Sequence, residues 1–184
     1  RKNGNTFDDY YWVSLGAQNS VWISSWGNGV VEVRNDTLYR KLDYYSTPSL
    51  PGAVNETPPA YVVTGAVAVD KNGKTWITNR VGYSGRSLLR LDTDSTATYF
   101  DNELNPSEAL FHGLFIDQNN TKWIANSVPS DLKQPGLYYL NDEHLISGTT
   151  SGGWGRLTTA DGLPSNTVLF VTGDLEGNVW IGTS

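Results

Sequence analysis

The sequence DLEGNVWI occupies residues 174–181, and three other segments of the chain have the same pattern. These segments are GAQNSVWI at 16–23, DKNGKTWI at 70–77 and DQNNTKWI at 117–124. A mostly apolar run precedes each of them, so the common unit is an apolar strand, a short polar turn and a second strand that starts at Trp-Ile. Apolar runs separated by turn residues are typical of antiparallel sheets, and the unit therefore predicts a β-hairpin repeated four times.

The spacing of the repeat predicts the architecture. Its tryptophans are Trp22, Trp76, Trp123 and Trp180, which lie 54, 47 and 57 residues apart. Blades of β-propellers such as WD40 and kelch proteins repeat every ~40–50 residues. Two further strands follow each of the first three hairpins, at 29–33 and 37–42, at 87–91 and 97–100, and at 136–140 and 154–157. Four antiparallel strands in each repeat, with the most polar strand last, predict a propeller blade.

Three of the four hairpin turns share one turn chemistry. Each opens with an aspartate and has Gly or Asn three positions later: Asp70 and Gly73, Asp117 and Asn120, and Asp174 and Gly177. Gly and Asn adopt positive φ most readily, which a tight hairpin turn needs. The tryptophan that follows would bury roughly 150–250 Å² against a neighbouring sheet. Gly16 stands where the first repeat would have its aspartate, so we expect that turn to be held differently.

The expected fold is all-β: a partial β-propeller of three four-stranded antiparallel blades plus the first two strands of a fourth. We expect one domain, 1–184, with blades at about 8–60, 61–110 and 111–166 and an incomplete blade at 167–184. Propellers close with roughly 4–8 blades, so the chain is expected to be an excerpt of a longer protein. The ring would be completed by the remainder of its own propeller or by a second copy, since exposed Trp and Ile cost ~25 cal/mol per Å². No stretch has a helical period, and Leu104 to Leu110 could form at most one turn.

Composition excludes several functional classes. The 184 residues include seven Trp, ten Tyr and nineteen Gly, with no Cys and a net charge of −6. Negative charge argues against a nucleic-acid partner, and no apolar run approaches the ~18–20 residues of a membrane span. The absence of cysteine excludes disulfides and thiolate metal sites. The two histidines, His112 and His144, are too few for a metal cluster, and we expect no metal and no cofactor.

Residues 161–183, DGLPSNTVLFVTGDLEGNVWIGT, resemble the two-component regulator propeller repeat, in which a GLPSN turn leads to an inner strand and then to D-x-x-G-x-x-W-I-G-T. Segments 70–77 and 117–124 share the core of this repeat, but Thr-Asn-Arg and Ala-Asn-Ser then replace Gly-Thr. The resemblance covers nearly the whole chain. It implies an extracytoplasmic propeller of a Bacteroidetes-type bacterium, in the periplasm or at the cell surface. Such propellers include sensor ectodomains of hybrid two-component systems and PorZ-like type IX secretion proteins.

Propeller ligands usually meet the loops that follow the second strand and those that lead into the first. The candidate ligand-binding residues on these loops are Trp26, Asn79, Arg80, Tyr83, Arg86, His112 and Asn126. Aromatic rings stack on sugars while Arg and Asn side chains bind hydroxyl groups, so a glycan is one possible ligand and a secretion-machinery protein is another. In the alternative interpretation, Trp26 and Tyr83 simply fill the loops or the channel mouth and His112 is a structural histidine.

The expected function is non-catalytic binding of a ligand or protein, and the chain is not expected to be an enzyme. The alternative is part of a polysaccharide-degrading propeller enzyme, a lyase or a sialidase-like protein. Its basis is the likeness of 70–76 to the Asp-box of sialidases, a structural turn, together with the aromatic loops. Acid–base chemistry on sugars needs a carboxylate pair at a set separation. The acidic residues of the loops, in which the sequence shows no such pair, are Glu103, Glu108, Asp131 and Glu143.

Overall fold

The computed structural model describes residues 9–52, 60–80, 82, 86–101, 103–104, 110–126 and 136–184. Its fourteen strands form four antiparallel units. Blade 1 contains β1 (Asp9–Leu15), β2 (Val21–Gly27), β3 (Val30–Arg34) and β4 (Thr37–Leu42). Blade 2 contains β5 (Val62–Val69), β6 (Thr75–Arg80), β7 (Arg86–Leu91) and β8 (Ala97–Asp101). Blade 3 contains β9 (Phe111–Ile116), β10 (Lys122–Asn126), β11 (Leu137–Leu140) and β12 (Trp154–Leu157), and blade 4 contains β13 (Val168–Gly173) and β14 (Val179–Thr183).

This arrangement confirms the predicted fold class, three four-stranded blades and two strands of a fourth. Strands adjacent in sequence pair with each other in every blade. The helical content of the described residues is confined to short 3₁₀ turns such as 17–19 and 159–161. The segment 105–109, where the sequence allows one helical turn, lies outside the described residues.

Blades 1 and 2 are joined into one eight-stranded sheet. Trp26 and Gly27 at the end of β2 pair with Val63 and Val62 at the start of β5. The register between β5 and β6 then shifts between Thr64 and Val67, so β5 leaves β2 and continues along β6. Two paired residues are therefore enough to fuse the blades at one end while their remaining strands diverge.

The blades pack by a single rule, which follows from the alternation of side chains along a strand. In the second strand of each blade, Trp points to one face of the sheet and Ile to the other. Trp22 and Ile77 share one core between blades 1 and 2, and Trp76 and Ile124 share the next. Trp123 packs with the cluster between blades 3 and 4 that also holds Ile181. Each Trp face is thus covered by the Ile face of the following blade.

The Asp-containing hairpins are held by the same hydrogen bonds in blades 2, 3 and 4. The indole nitrogen of Trp76 donates to the carboxylate of Asp70 at 2.9 Å, and the pairs in blades 3 and 4 bond at 2.9 and 2.8 Å. The other carboxylate oxygen accepts the backbone N–H four residues on, at Lys74 in blade 2. Gly73 has a φ of +78°, as the turn requires. One carboxylate therefore fixes both the turn and the orientation of the tryptophan.

The first hairpin is built differently, as its missing aspartate predicts. A Cβ on Gly16 would lie 2.6 Å from the Trp22 indole nitrogen, so the ring occupies the space of the missing side chain. The Gly16 N–H still donates to the Ser20 carbonyl at 2.7 Å, as the N–H of Asp70 does to Lys74 at 2.9 Å, but Gln18 and Asn19 both take positive φ. Among the described residues, the buried Trp22 indole N–H has no hydrogen-bond partner. The first turn therefore lacks the link that the other three share.

The indoles are equivalent in the repeat but not in their surroundings. Trp22 and Trp76 are 1% and 0% exposed, Trp123 is half-buried, and Trp180 is 60% exposed. Hydrogen bonds from Asn178 and Trp180 lower the pKa of Asp174 from 3.8 to about 2, so the exposed hairpin keeps its ionised anchor. The described residues contain no blade after blade 4, so burial of the indole against a neighbouring sheet stays a prediction for Trp180.

We predict that Asp70→Ala lowers the free energy of unfolding by about 2–4 kcal/mol, because it leaves the buried Trp76 N–H unpaired and frees two backbone amides. Asp70→Asn should lower the free energy of unfolding nearly as much, because both oxygens of Asp70 accept hydrogen bonds. The NH₂ group of Asn would replace one of these acceptors with a donor, which would face either the indole N–H or the backbone amides. Urea denaturation at constant m-value measures both. Asp174→Ala, in the exposed copy of the hairpin, is the matched control and should cost less. An Asp70→Ala protein within ~0.5 kcal/mol of the parent would contradict the anchoring role.

Candidate functional site

Most of the candidate binding residues lie at one end of the blades. In antiparallel hairpins, the start of the first strand lies beside the end of the second. Trp26, Arg80 and Asn126 end, or nearly end, the second strands of blades 1, 2 and 3, and His112 is the second residue of β9. We call this end the upper face. The hairpin turns with their Asp–Trp bonds form the opposite, lower face.

Trp26 and Arg80 form a stack on the upper face. Both pair with Val63, Trp26 from β2 and Arg80 from β6, so the sheet register places the two side chains on the same side. The Arg80 guanidinium carbon lies 5.0 Å from the centre of the Trp26 ring, and Val63 beneath them is 2% exposed. Trp26 remains 36% exposed. The fusion of blades 1 and 2 thus creates an aromatic–cation pair at the surface.

His112 links blades 3 and 4. Its Nε2 lies 2.7 Å from the carbonyl oxygen of Leu169, to which a neutral imidazole donates. Burial lowers the pKa of His112 below 6.5, and the positive charge of Arg80 lowers it further, against the raising effect of backbone hydrogen bonds to Leu169 and Leu110. The ring is therefore a neutral hydrogen-bond donor at neutral pH, and its proton is used in a contact between blades.

Asn79 and Asn126 lie at the same repeat position, each after a Trp-Ile pair and one further residue, but have different surroundings. The Asn79 amide donates to the Pro51 carbonyl at 2.8 Å and lies 3.4 Å from the Arg86 carbonyl, so it ties the following strand to the connection from blade 1. Asn126 is 1% exposed, and neither of its side-chain polar atoms has a hydrogen-bond partner within the described part of the chain. Among the described residues, Asn79 therefore has partners for its NH₂ group but none for its Oδ1 atom, whereas neither group of Asn126 has one.

A further candidate, Arg86, does not join this group in the structure. Arg86 lies over the ring of Tyr99 at 5.2 Å, on the outer pair of strands of blade 2. Tyr83 lies outside the described residues, as do Glu108 and Asp131. Glu143 forms a surface ion pair with Lys71 at 3.0 Å. Of the predicted site residues, the structure brings together Trp26 and Arg80 directly, and His112 through the charge of Arg80.

A polar cavity that the sequence analysis did not anticipate lies between blades 1 and 2, toward the lower face. It measures about 150 Å³, and Glu32, Arg34 and Arg40 contribute to its wall. Glu32 is 1% exposed and pairs with Arg34 at 2.8 Å and Arg40 at 2.6 Å, so its charge is compensated. The alternating charges of β3 and β4 were the only sequence signal for this cluster, and surface strands carry similar patterns.

Lys122 is a second buried charge that the sequence did not reveal. Its ammonium group forms an ion pair with Asp142 and lies 4.4 Å from the centre of the Trp76 ring, inside the contact between blades 2 and 3. Burial lowers the pKa of Lys122, although the hydrogen bond and charge of Asp142 act in the opposite direction. The charge of Lys122 is therefore compensated by Asp142, and the contact contributes to the packing of blades 2 and 3.

The described ranges contain no group of three or more His, Cys, Asp or Glu side chains placed to hold a metal ion. None of the helices there has the length and apolar character needed to span a membrane.

Comparison with known proteins shows similarity of fold. No family model matches the chain, and no curated protein matches it either. Among solved structures, virginiamycin B lyase from Staphylococcus aureus matches 95% of this chain with a TM-score of 0.64 and 16% identity. PorZ, a bacterial surface component of the type IX secretion system of Porphyromonas gingivalis, matches 96% with a TM-score of 0.66 and 21% identity.

A third match is the extracellular domain of a protein assigned as a one-component system of B. thetaiotaomicron. It covers all of this chain, with a TM-score of 0.63 and 15% identity. The chain spans 49% of the lyase, 24% of PorZ and 21% of the sensor domain. At these identities the comparisons establish the propeller-type fold, which enzymes, surface proteins and sensor ectodomains share.

We predict that the stability of the protein falls as the pH drops below 6.5, because unfolded His112 then binds protons more readily than the folded residue does. His112→Gln should remove this component, since Gln does not titrate but can still donate to Leu169. Urea denaturation at pH 7.5 and about pH 5.5 measures the difference. His144→Gln, at an exposed position, is the control and should keep the pH dependence. An unchanged pH dependence in His112→Gln would refute the assignment.

Proposed function

We propose that this chain is a segment of a non-catalytic, extracytoplasmic bacterial propeller and that its upper face binds carbohydrate. The Trp26–Arg80 stack is the observation that carries the proposal. It presents an aromatic ring and a guanidinium group at the surface, and both are held by a fixed sheet register. The similarity of the fold to PorZ and to an extracellular sensor domain supports a location outside the cytoplasm.

The ligand class follows from the chemistry of the stack. The exposed part of the Trp26 ring offers an apolar surface on which the C–H face of a sugar ring can stack. Arg80 adds several N–H donors in a planar group, which suits hydroxyl and carboxylate oxygens. The net charge of −6 disfavours polyanionic ligands in general, so neutral or weakly acidic glycans fit best.

The state of His112 supports a binding role over catalysis. A general acid needs a proton that it can give to the substrate. The Nε2 atom of His112 is engaged with the carbonyl oxygen of Leu169, on the neighbouring blade. Asn79 is likewise engaged with Pro51. These side chains hold the upper face in shape, and Trp26 and Arg80 are the groups that a ligand would meet.

A polysaccharide-degrading enzyme is the second candidate. It would use His112 as its base, because burial lowers the pKa of this residue and a neutral imidazole that donates from Nε2 carries its lone pair on Nδ1. The fold it would use also occurs in virginiamycin B lyase. Incubation with a panel of polysaccharides and assay of released sugars separates the two candidates. Product formation that His112→Gln abolishes would favour the enzyme.

Two biological settings fit the proposed binding role, a sensor and a component of a secretion system. A sensor gene would continue into a β-sandwich, a membrane span and a kinase, whereas a secretion component would end in a sorting-type sandwich without a kinase. Sequencing of the flanking gene distinguishes them directly.

We predict that the chain binds members of a glycan array and that Trp26→Ala weakens binding at least about tenfold, as loss of an aromatic anchor does at other interfaces. Titration calorimetry with the best glycan gives the affinities. Tyr39→Ala is the matched control, because Arg34 lies 3.7 Å from the centre of the Tyr39 ring in a similar stack toward the lower face. Equal losses in both variants, or no glycan binding at all, would contradict the proposal. Binding to purified secretion-machinery proteins instead would assign the face to a protein partner.

A further inference from the structure

The cavity between blades 1 and 2 lies at a position that two side chains fill at the next junction, between blades 2 and 3. Lys122 begins β10, and Asp142, its ion-pair partner, is the second residue after β11. By the same register, Thr75 begins β6 and Thr93 is the second residue after β7. The two threonines thus hold the repeat positions of the buried ion pair, and both line the cavity. Their short side chains leave about 150 Å³ open, which is room for a molecule the size of benzene.

Arg40 lines this cavity and is held in place by three contacts. Its Nε–H donates to Glu32 at 2.6 Å, and a further N–H donates to the Ser95 hydroxyl of blade 2 at 3.3 Å. Its guanidinium carbon lies 5.0 Å from the centre of the Trp22 ring. A guanidinium has five N–H donors, so three of those on Arg40 have no acceptor among the described residues. A fixed cation of the cavity wall therefore has hydrogen bonds left to donate.

The surroundings of the cavity have an excess of positive charge. Each carboxylate of the wall contacts two cations: Glu32 contacts Arg34 and Arg40, and Asp92 contacts Lys74 and Arg90. The four cations exceed the two carboxylates by two charges, although the whole chain has a net charge of −6. Both oxygens of Glu32 already accept hydrogen bonds from arginine. Surplus positive charge and unused N–H donors together favour a ligand that brings negative charge and oxygen acceptors.

We propose that this cavity, which we call the lower pocket, binds a small oxyanion, a phosphate or carboxylate group. Arg40 and Arg34 would donate N–H groups to the oxygen atoms of the anion, a geometry for which the planar guanidinium is suited. The hydroxyl groups of Thr75, Thr93 and Ser95 add further donors to the wall. The lower pocket lies toward the opposite end of blades 1 and 2 from the proposed carbohydrate site, and it does not depend on that proposal.

NMR of the arginine side chains in the isotope-labelled chain tests the proposal without any substitution. Sodium phosphate and sodium acetate are titrated separately, with sodium chloride keeping the ionic strength constant. We expect the Nε–H signal of Arg40 to shift along a saturable curve with at least one of the two anions. Saturation by phosphate alone or by acetate alone identifies the anionic group that the pocket selects. Shifts that remain linear with both anions, or that affect exposed arginines equally, overturn the proposal.

A pair of variants with the same change of charge separates the pocket from a general effect of charge. Arg40→Gln should weaken binding of the anion about tenfold or more, because it removes the positive charge and most of the unused donors. Lys71→Gln is the matched control, since it also removes one positive charge at the lower face, but from an exposed ion pair with Glu143 of blade 3. This control should bind the anion as the parent chain does. Equal weakening in both variants overturns the proposal.

A further variant closes the lower pocket and leaves Arg40 in place. Thr75→Lys combined with Thr93→Asp puts the residue types of the Lys122–Asp142 pair at the same positions of blade 2 and leaves the net charge unchanged. The combined variant should lose saturable binding because its longer side chains occupy the cavity. Urea denaturation establishes that the variant is folded. A folded combined variant that binds the anion as the parent chain does overturns the proposal.

Discussion

The hydrogen bond between an indole N–H and an aspartate carboxylate is the constraint on which this structure depends. Packing alone would allow the tryptophan side chain to adopt several rotamers, but the Asp70–Trp76 hydrogen bond selects one of them. The indole then stands on one face of its sheet, and the isoleucine that follows it must stand on the other. Stacking of blades is the consequence, because each sheet has a tryptophan to be covered and an isoleucine to cover one.

The constraint acts at the lower face and leaves the upper face to vary. All three Asp hairpins turn with nearly the same geometry, whereas the positions after Trp-Ile differ in every blade. The residue four positions after the tryptophan is Trp26 in blade 1 and Arg80 in blade 2. Equivalent positions of a repeat thus carry unlike side chains, and the fusion of the two blades brings those side chains together. A rigid lower face with a variable upper face is suited to a scaffold that changes ligands without changing its fold.

The sequence was sufficient for the fold because the repeat encodes it locally. Asp, Gly or Asn, and Trp-Ile stand at fixed offsets, and strand order follows from short turns. It also placed Trp26 and Arg80 at one end of the blades, although on loops, whereas the structure has both within the last two residues of a second strand. The sequence could not show that His112 binds Leu169, because the two residues are 57 positions apart. The acceptor is also a backbone carbonyl, which every residue has, so the residue types do not indicate the contact.

Other features of the candidate site were equally out of reach of the sequence. Arg86 was grouped with Arg80 by proximity in the chain, but β7 carries it to Tyr99 on the outer strands of its blade. The two-residue pairing of β2 with β5 is too short to give a pattern, although it determines the distance between Trp26 and Arg80. Contacts between blades depend on which strand ends meet, and turn chemistry within a blade does not specify that.

The continuous sheet of blades 1 and 2 has a mechanical consequence. Separating blades 1 and 2 requires breaking backbone hydrogen bonds as well as apolar contacts. Blades 2 and 3, and blades 3 and 4, lie in separate sheets that pack through side chains, so they can move apart without breaking strand pairing. Hydrogen exchange should therefore detect the first two blades as one cooperative unit. We therefore expect elastic deformation of the stack to be concentrated at the later junctions, and His112 lies at the last of them.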